Sequence, residues 1–177
     1  CGWGSLSLWM AARYPAAKIT AVSNSRSQRA FIVGEAERRG LGNLDVVTAD
    51  MNAFEPEGRF DRIVSIEMFE AVGEAYWDSY FTCVAQRLKT GGRACIQTIT
   101  IEDGLFERYR TGTDFIQQYI FPGGMLPSPS VFRAYAERHG LQVVNELAFG
   151  LDYARTLELW HAAFMETLPE VTAQGFD

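Results

Sequence analysis

A chain of 177 residues suffices for one domain with a sizeable core. Its 47% hydrophobic and 13% aromatic content excludes a disordered polymer, and its net charge of −6 excludes the basic face that nucleic-acid phosphates require. Cys1, Cys83 and Cys95 show no C-x-x-C spacing and the two histidines stand far apart, so neither a disulfide framework nor a metal site is expected and a reducing cytoplasm fits.

The chain opens on "CGWG", a glycine turn feeding the helical run "SLSLWMAARY". "KITAVS" follows as a strand from Lys18 to Ser23. "SQRAFIVGEAERRG" is helical and stops at Gly40, a residue suited to the left-handed conformation of a helix end. "LDVVTAD" and "FDRIVSIE" read as strands that end near Asp50 and Glu67. A helix over about Glu74 to Leu88 leads through a "TGG" turn into the β-branched strand "RACIQTITI". From Glu102 to Ser130 the pattern loosens, and "FPGGMLPSPS" holds too much Pro and Gly for a regular element. A helix near Val131 to His139, the strand "LQVVNELAF" and a helix through "ARTLELWHAAFMETL" complete the order. No apolar run of 18 residues predicts a membrane span. Strands alternating with helices imply an α/β fold, a doubly wound and mostly parallel sheet in a single domain over residues 1–177, with a substrate-side insertion over about 102–130.

In such sheets ligands sit at the carboxyl ends of the strands. A dinucleotide site requires G-x-G-x-x-G, but Ser7 stands third, and Ser23 and Asn24 stand where the ribose-binding acid belongs. A P-loop lysine is absent. The short turn Gly2-Trp3-Gly4 therefore suits a ligand without a pyrophosphate. S-adenosylmethionine fits, with its amino-acid end on glycine backbone and its ribose and adenine on the next two strands. By itself, the glycine pair is a weak signal and is more readily read as a tight turn.

The segments "CGWG", "SNSRSQ", "FDRIVSIEMFEAVG", "YIFPGGMLPSPS" and "FGLDYARTL", in this order, resemble the cyclopropane-fatty-acyl-phospholipid synthase family of S-adenosylmethionine-dependent methyltransferases. The resemblance covers essentially the whole chain. It implies a class I, Rossmann-like methyltransferase fold. The family's glycine motif completes a strand of the type x-L-D/E-I-G, so the chain looks like a fragment that lacks the first strand, an upstream lid and C-terminal helices. The first fifty residues are also similar to the coclaurine-type N-methyltransferase branch, whereas "TGTDFIQQYIFPGGMLPSPS" is similar to the lipid branch.

Ser25 and Gln28 form S-x-x-Q, a capping box in its own right. The resemblance adds that Ser23, Asn24, Ser25 and Gln28 line the ribose, and that Asp50, Met51 and Asn52 bracket adenine beside the turn of Gly2, Trp3 and Gly4. Glu70 lies where strand gives way to helix, a place that also favours an acid for the helix dipole, and Glu67 is its rival by that logic. The family pattern assigns the active-site glutamate to Glu70 and an active-site hydroxyl to Tyr153. In cyclopropane synthases these help hold bicarbonate, together with a histidine and backbone on the strand that here reads "QTI". Gln97 stands at the histidine position. It donates hydrogen bonds but carries no positive charge, which puts bicarbonate use in doubt, while the backbone N–H near Ile99 contributes whatever the side chain.

The implied chemistry is methyl transfer to the alkene of an unsaturated phospholipid acyl chain, then loss of a proton to give a ring or a branch. Phe106, Tyr109, Phe115, Tyr119 and Phe121 suit an acyl tunnel or an ordinary core. A cytoplasmic protein with peripheral contact at the inner membrane face is expected. The alternatives are a small-molecule amine N-methyltransferase and a non-catalytic cofactor binder.

Overall fold

The computed structural model describes residues 1–176, apart from the side chain of Asn52. Helix α1 (Ser5–Arg13) springs directly from the glycine turn. Gly4 has φ 82°, and a Cβ there would come within 2.6 Å of the Ile32 side chain. Glycine at this position thus lets helix α2 (Arg26–Arg38) approach the turn. Strands β1 (Ile19–Ser23) and β2 (Leu44–Thr48) pair in parallel, Ile19 opposite Leu44 and Ser23 opposite Thr48. Leu8, Ala21, Ile32, Ala36 and Val46 form the core between these elements. At the end of α2, Gly40 takes φ 67° and the Leu41 N–H reaches back to the Ala36 carbonyl at 2.9 Å, the helix stop expected from the sequence.

Strands β3 (Phe60–Ile66) and β4 (Leu88–Gln97) form a second parallel pair, in register from Arg62 opposite Arg93 to Ile66 opposite Gln97. Between them lie the short α3 (Phe69–Val72), a 3-10 turn over Glu74–Tyr76 and α4 (Trp77–Arg87). Phe69 is fully buried, with ring centroids 4.8–5.4 Å from Trp77, Tyr80, Phe81 and Phe132. Two departures from the sequence reading occur here. The "TGG" segment is no separate turn but an irregular stretch of β4, where the register shifts after Phe60. The strand also stops at Gln97 and does not continue through "TITI".

The two strand pairs are separate sheets, β1-β2 and β3-β4, and every ladder among the described residues is parallel. The halves are joined elsewhere. A 3-10 turn over Met51–Ala53 follows β2, and the Cys83 thiol of α4 lies 3.6 Å from the Met51 carbonyl. Arg87 Nη2 donates to the Phe54 carbonyl at 3.0 Å.

The segment read as loose holds more regular structure than composition predicts: a 3-10 turn Asp103–Leu105, α5 (Phe106–Thr111) and a π-helical turn Ile116–Ile120. "FPGGMLPS" is irregular as expected. It is stitched in place by Met125 N–H to Glu70 O at 2.9 Å and Ile101 N–H to Pro127 O at 3.0 Å. Helix α6 (Pro129–Arg138) starts on Ser128, whose hydroxyl accepts from Val131 N–H, with Pro129 at the first position where no donor is needed.

The chain forms two compact units, Cys1–Gln142 and Val143–Asp177. In the second, helix α7 spans Gly150–Ala173. The strand expected over "LQVVNELAF" is absent: 141–149 has no regular structure. A strand needs a partner edge, and among the described residues no ladder includes this segment. Val144 and Leu147 are accordingly 72% and 79% exposed.

Candidate active site

The carboxyl ends of β1 and β2 gather most of the residues assigned to the cofactor. The chain's first amino group donates to Val22 O at 2.9 Å, which holds the glycine turn against β1. The Ala49 N–H donates to Ser23 O at 3.0 Å, which holds the end of β2 to the same place. Gly2 has φ 53° with nothing within 4 Å of where a Cβ would stand, so its backbone faces open space. Gly4 differs, being closed off by Ile32. Trp3 is exposed and sets its ring edge against Phe31 at 5.5 Å.

The capping box forms only in part. Ser25 Oγ accepts from Gln28 N–H at 3.3 Å, as the S-x-x-Q spacing predicts. The reciprocal bond runs through Ser23, whose buried hydroxyl donates to Gln28 Oε1 at 2.6 Å and accepts from Ser25 N–H at 3.1 Å. Ser23 thereby joins the strand end to the first turn of α2. Asn24 and Asp50 are exposed, and Met51 is half-buried beside Cys83. The Asn52 side chain lies outside the described residues. Burial raises the Cys83 thiol above its ordinary value, so it behaves as an inert neighbour of this loop.

The ends of β3 and β4 gather a second polar group. Glu67 N–H continues the ladder to Gln97 O at 2.9 Å. Gln97 Nε2 donates to Glu67 Oε1 at 3.0 Å, and Thr98 Oγ1 donates to Glu70 Oε2 at 2.9 Å. Glu70, Gln97 and the backbone at Ile99 are thus brought to one strand-end cluster. Among the described residues the Ile99 N–H has no acceptor, and neither Glu67 nor Glu70 forms an ion pair. Glu70 is positioned from two sides, by the buried Phe69 before it and by Met125 N–H on its carbonyl. The Tyr80 hydroxyl is buried, and burial pushes that phenol far above its ordinary value.

Tyr153 belongs to the second unit, in the first turns of α7, with its ring edge-on to Trp160 at 6.4 Å. Thr98 and Met125 were not singled out by sequence. A hydroxyl one residue past Gln97 was the available signal for Thr98; Met125 acts through its backbone and left none.

The chain matches the mycolic acid cyclopropane synthetase family across residues 1–177. It belongs to that family. Tuberculostearic acid methyltransferase UfaA1 of Mycobacterium tuberculosis is 35% identical over 178 residues, which cover 99% of this chain and 41% of that protein. The cyclopropane-fatty-acyl-phospholipid synthase of Escherichia coli K12 is 33% identical over 171 residues, 97% of this chain and 42% of that one. This member of the family therefore spans about two-fifths of the length of these relatives. Among solved structures, mycolic acid cyclopropane synthase CmaA1 in complex with SAH and CTAB superposes with a TM-score of 0.81 at 26% identity, covering 98% of this chain and 63% of that one. Coclaurine N-methyltransferase bound to N-methylheliamine and SAH gives 0.77 at 28%, covering 96% and 50%. The class I methyltransferase fold follows, and both expected branches are represented. Among the described residues no helix is long and apolar enough to cross a membrane.

Proposed function

We propose that the protein containing this chain is an S-adenosylmethionine-dependent C-methyltransferase acting on unsaturated acyl chains of phospholipids. The observation that carries this reading is the strand-end cluster of Glu70, Gln97, Thr98 and Ile99, fastened through Glu70 O to the "FPGGML" segment, in a chain of this family.

The open backbone at Gly2 is a cradle that a Cβ would fill, and it fits a ligand resting on main chain. Gly2, Trp3 and Gly4 would hold the amino-acid end, Ser23, Asn24, Ser25 and Gln28 the ribose, and Asp50, Met51 and Asn52 the adenine. The bound cofactor supplies an electrophilic methyl group. Glu70 and the apolar insertion orient the alkene, and the aromatic residues around 106–121 keep water from the cation that methylation leaves on the acyl chain. Tyr153 is proposed as a hydroxyl donor on the resemblance alone. The proton is lost to a base at the ends of β3 and β4; the resemblance makes this bicarbonate, held by Glu70, Gln97 and the Ile99 N–H.

One observation favours a second reading, amine N-methylation: among the described residues Glu67 and Glu70 are carboxylates without a cationic partner, a setting that would hold an ammonium. The deciding experiment incubates the full-length protein and methyl-labelled cofactor with unsaturated phospholipid vesicles and, separately, with a panel of secondary and tertiary amines. Label in the acyl chains is expected. Label in amines alone overturns the lipid reading.

A further inference from the structure

Glu67 stands out in the backbone. Among the described residues it is the one non-glycine with positive φ, at 49°. Side chains adopt this region only at a cost, and such residues persist where the surroundings hold them for a purpose. The strained residue sits on the last rung of the β3–β4 ladder, with its N–H on Gln97 O at 2.9 Å and its Oε1 receiving Gln97 Nε2 at 3.0 Å. An ionised carboxylate only accepts, so the amide must turn its nitrogen toward Glu67. Among the described residues Glu67 Oε2 is left with no partner, on an exposed side chain three residues before Glu70.

We propose that Glu67 is the catalytic base of this protein: its free carboxylate oxygen takes the proton released after methyl transfer, and Gln97 holds the carboxylate in place. The inference rests on the lipid-methylating reading above. It departs from that reading over bicarbonate. Gln97 brings no positive charge to the strand ends, and among the described residues no cation pairs with Glu67 or Glu70, so nothing there draws in an external anionic base. A fixed carboxylate supplies the same acceptor from the chain itself.

The step balances without any further reactant. The alkene π pair forms the new C–C bond to the methyl carbon while the S–CH3 bond breaks with its pair on sulfur. The adjacent acyl carbon is left cationic. A C–H bond of the new methyl then breaks, its pair closes the third C–C bond of a cyclopropane, and the proton forms an O–H bond on Glu67 Oε2. Loss from a neighbouring chain carbon gives a methyl-branched alkene by the same transfer. The exposed carboxyl afterwards releases its proton to water.

The test compares full-length parent, Glu67→Gly and Glu67→Gln on unsaturated phospholipid vesicles, in buffer purged of carbon dioxide and again with added bicarbonate or formate. Thermal midpoints and S-adenosylhomocysteine affinity are measured beside turnover. The parent should work equally with and without bicarbonate. Glu67→Gly should keep its affinity and its midpoint, since glycine accepts φ 49° freely. Its turnover should fall by about 100-fold or more and recover in part when a small carboxylate or bicarbonate fills the vacated space. Glu67→Gln should lose as much and not recover, because the amide occupies that space. A parent that needs bicarbonate, or a Glu67→Gly protein with about parental turnover in purged buffer, overturns the assignment while leaving the lipid reading intact. Absence of acyl methylation by the parent under every condition overturns both.

Discussion

Gly2 and Gly4 are one residue apart, yet their substitutions should fail in different ways. At Gly2 an added methyl group meets open space in the chain, so Gly2→Ala should leave a folded protein whose S-adenosylhomocysteine affinity falls tenfold or more. At Gly4 the methyl group meets Ile32 at 2.6 Å on a backbone with φ 82°, so Gly4→Ala should lower the thermal midpoint first. Calorimetry and thermal denaturation of the pair check this; unchanged affinity in a folded Gly2→Ala protein would remove the turn from the cofactor site. Glu70→Gln preserves shape and the contact with Thr98 but not charge, and should cost most of the turnover while sparing cofactor affinity. Tyr153→Phe deletes one hydroxyl and should behave likewise. Parental rates in both variants would move the chemistry away from Glu70 and Tyr153.

Helix α3 is only four residues long and owes its place to one side chain. Phe69 sits among four aromatic rings, and Phe69→Ala should cost roughly 3–5 kcal/mol of stability by leaving a cavity. Because Glu70 follows directly, turnover should fall with it, whereas Phe69→Leu should keep more of both. The insertion is held differently, by Asp103, which receives Ser130 N–H at 3.0 Å and Ser130 Oγ at 2.5 Å. The Ser128 and Ser130 hydroxyls lower its carboxyl pKa below the ordinary 3.8. A carboxyl lowered on folding stabilises above its unfolded value and loses that contribution as pH falls through the folded one. Asp103→Asn should therefore reduce the thermal midpoint at pH 7, and the gap from the parent should close in acid. The elements that sequence revealed are those with local signals: the S-x-x-Q start of α2, its Gly40 stop, and four β-branched strands between helices. What escaped was set by distant partners. "LQVVNELAF" has strand composition but no neighbouring edge, and "TITI" leaves the sheet where β3 has ended. At the site, Ser25, Gln28, Glu70 and Gln97 were legible as residues, but the bonds Ser23–Gln28, Glu67–Gln97 and Thr98–Glu70 depend on how strand ends meet, and spacing along the chain does not encode that.

The molecule as a whole carries much uncovered apolar surface. Leu151 is 89% exposed, and Trp160, Phe164 and Met165 on the same helix are exposed too. With β1-β2 and β3-β4 as separate sheets, unpaired edges add to this surface. Residues 1–177 produced alone should self-associate, and light scattering during a concentration series checks it; a monomer with a single cooperative melting transition would contradict the expectation. The bonds from Cys83 and Arg87 to the Met51–Phe54 loop have a further consequence. They make α4 a common support for the loop proposed to hold adenine and, through Phe69, for Glu70. If stiffening of that loop by the cofactor also favours the arrangement of Glu70 that receives the proposed acyl chain, each ligand raises the affinity of the other, and by the same factor. Removing the Arg87 tie should then weaken that coupling while leaving each ligand its separate affinity.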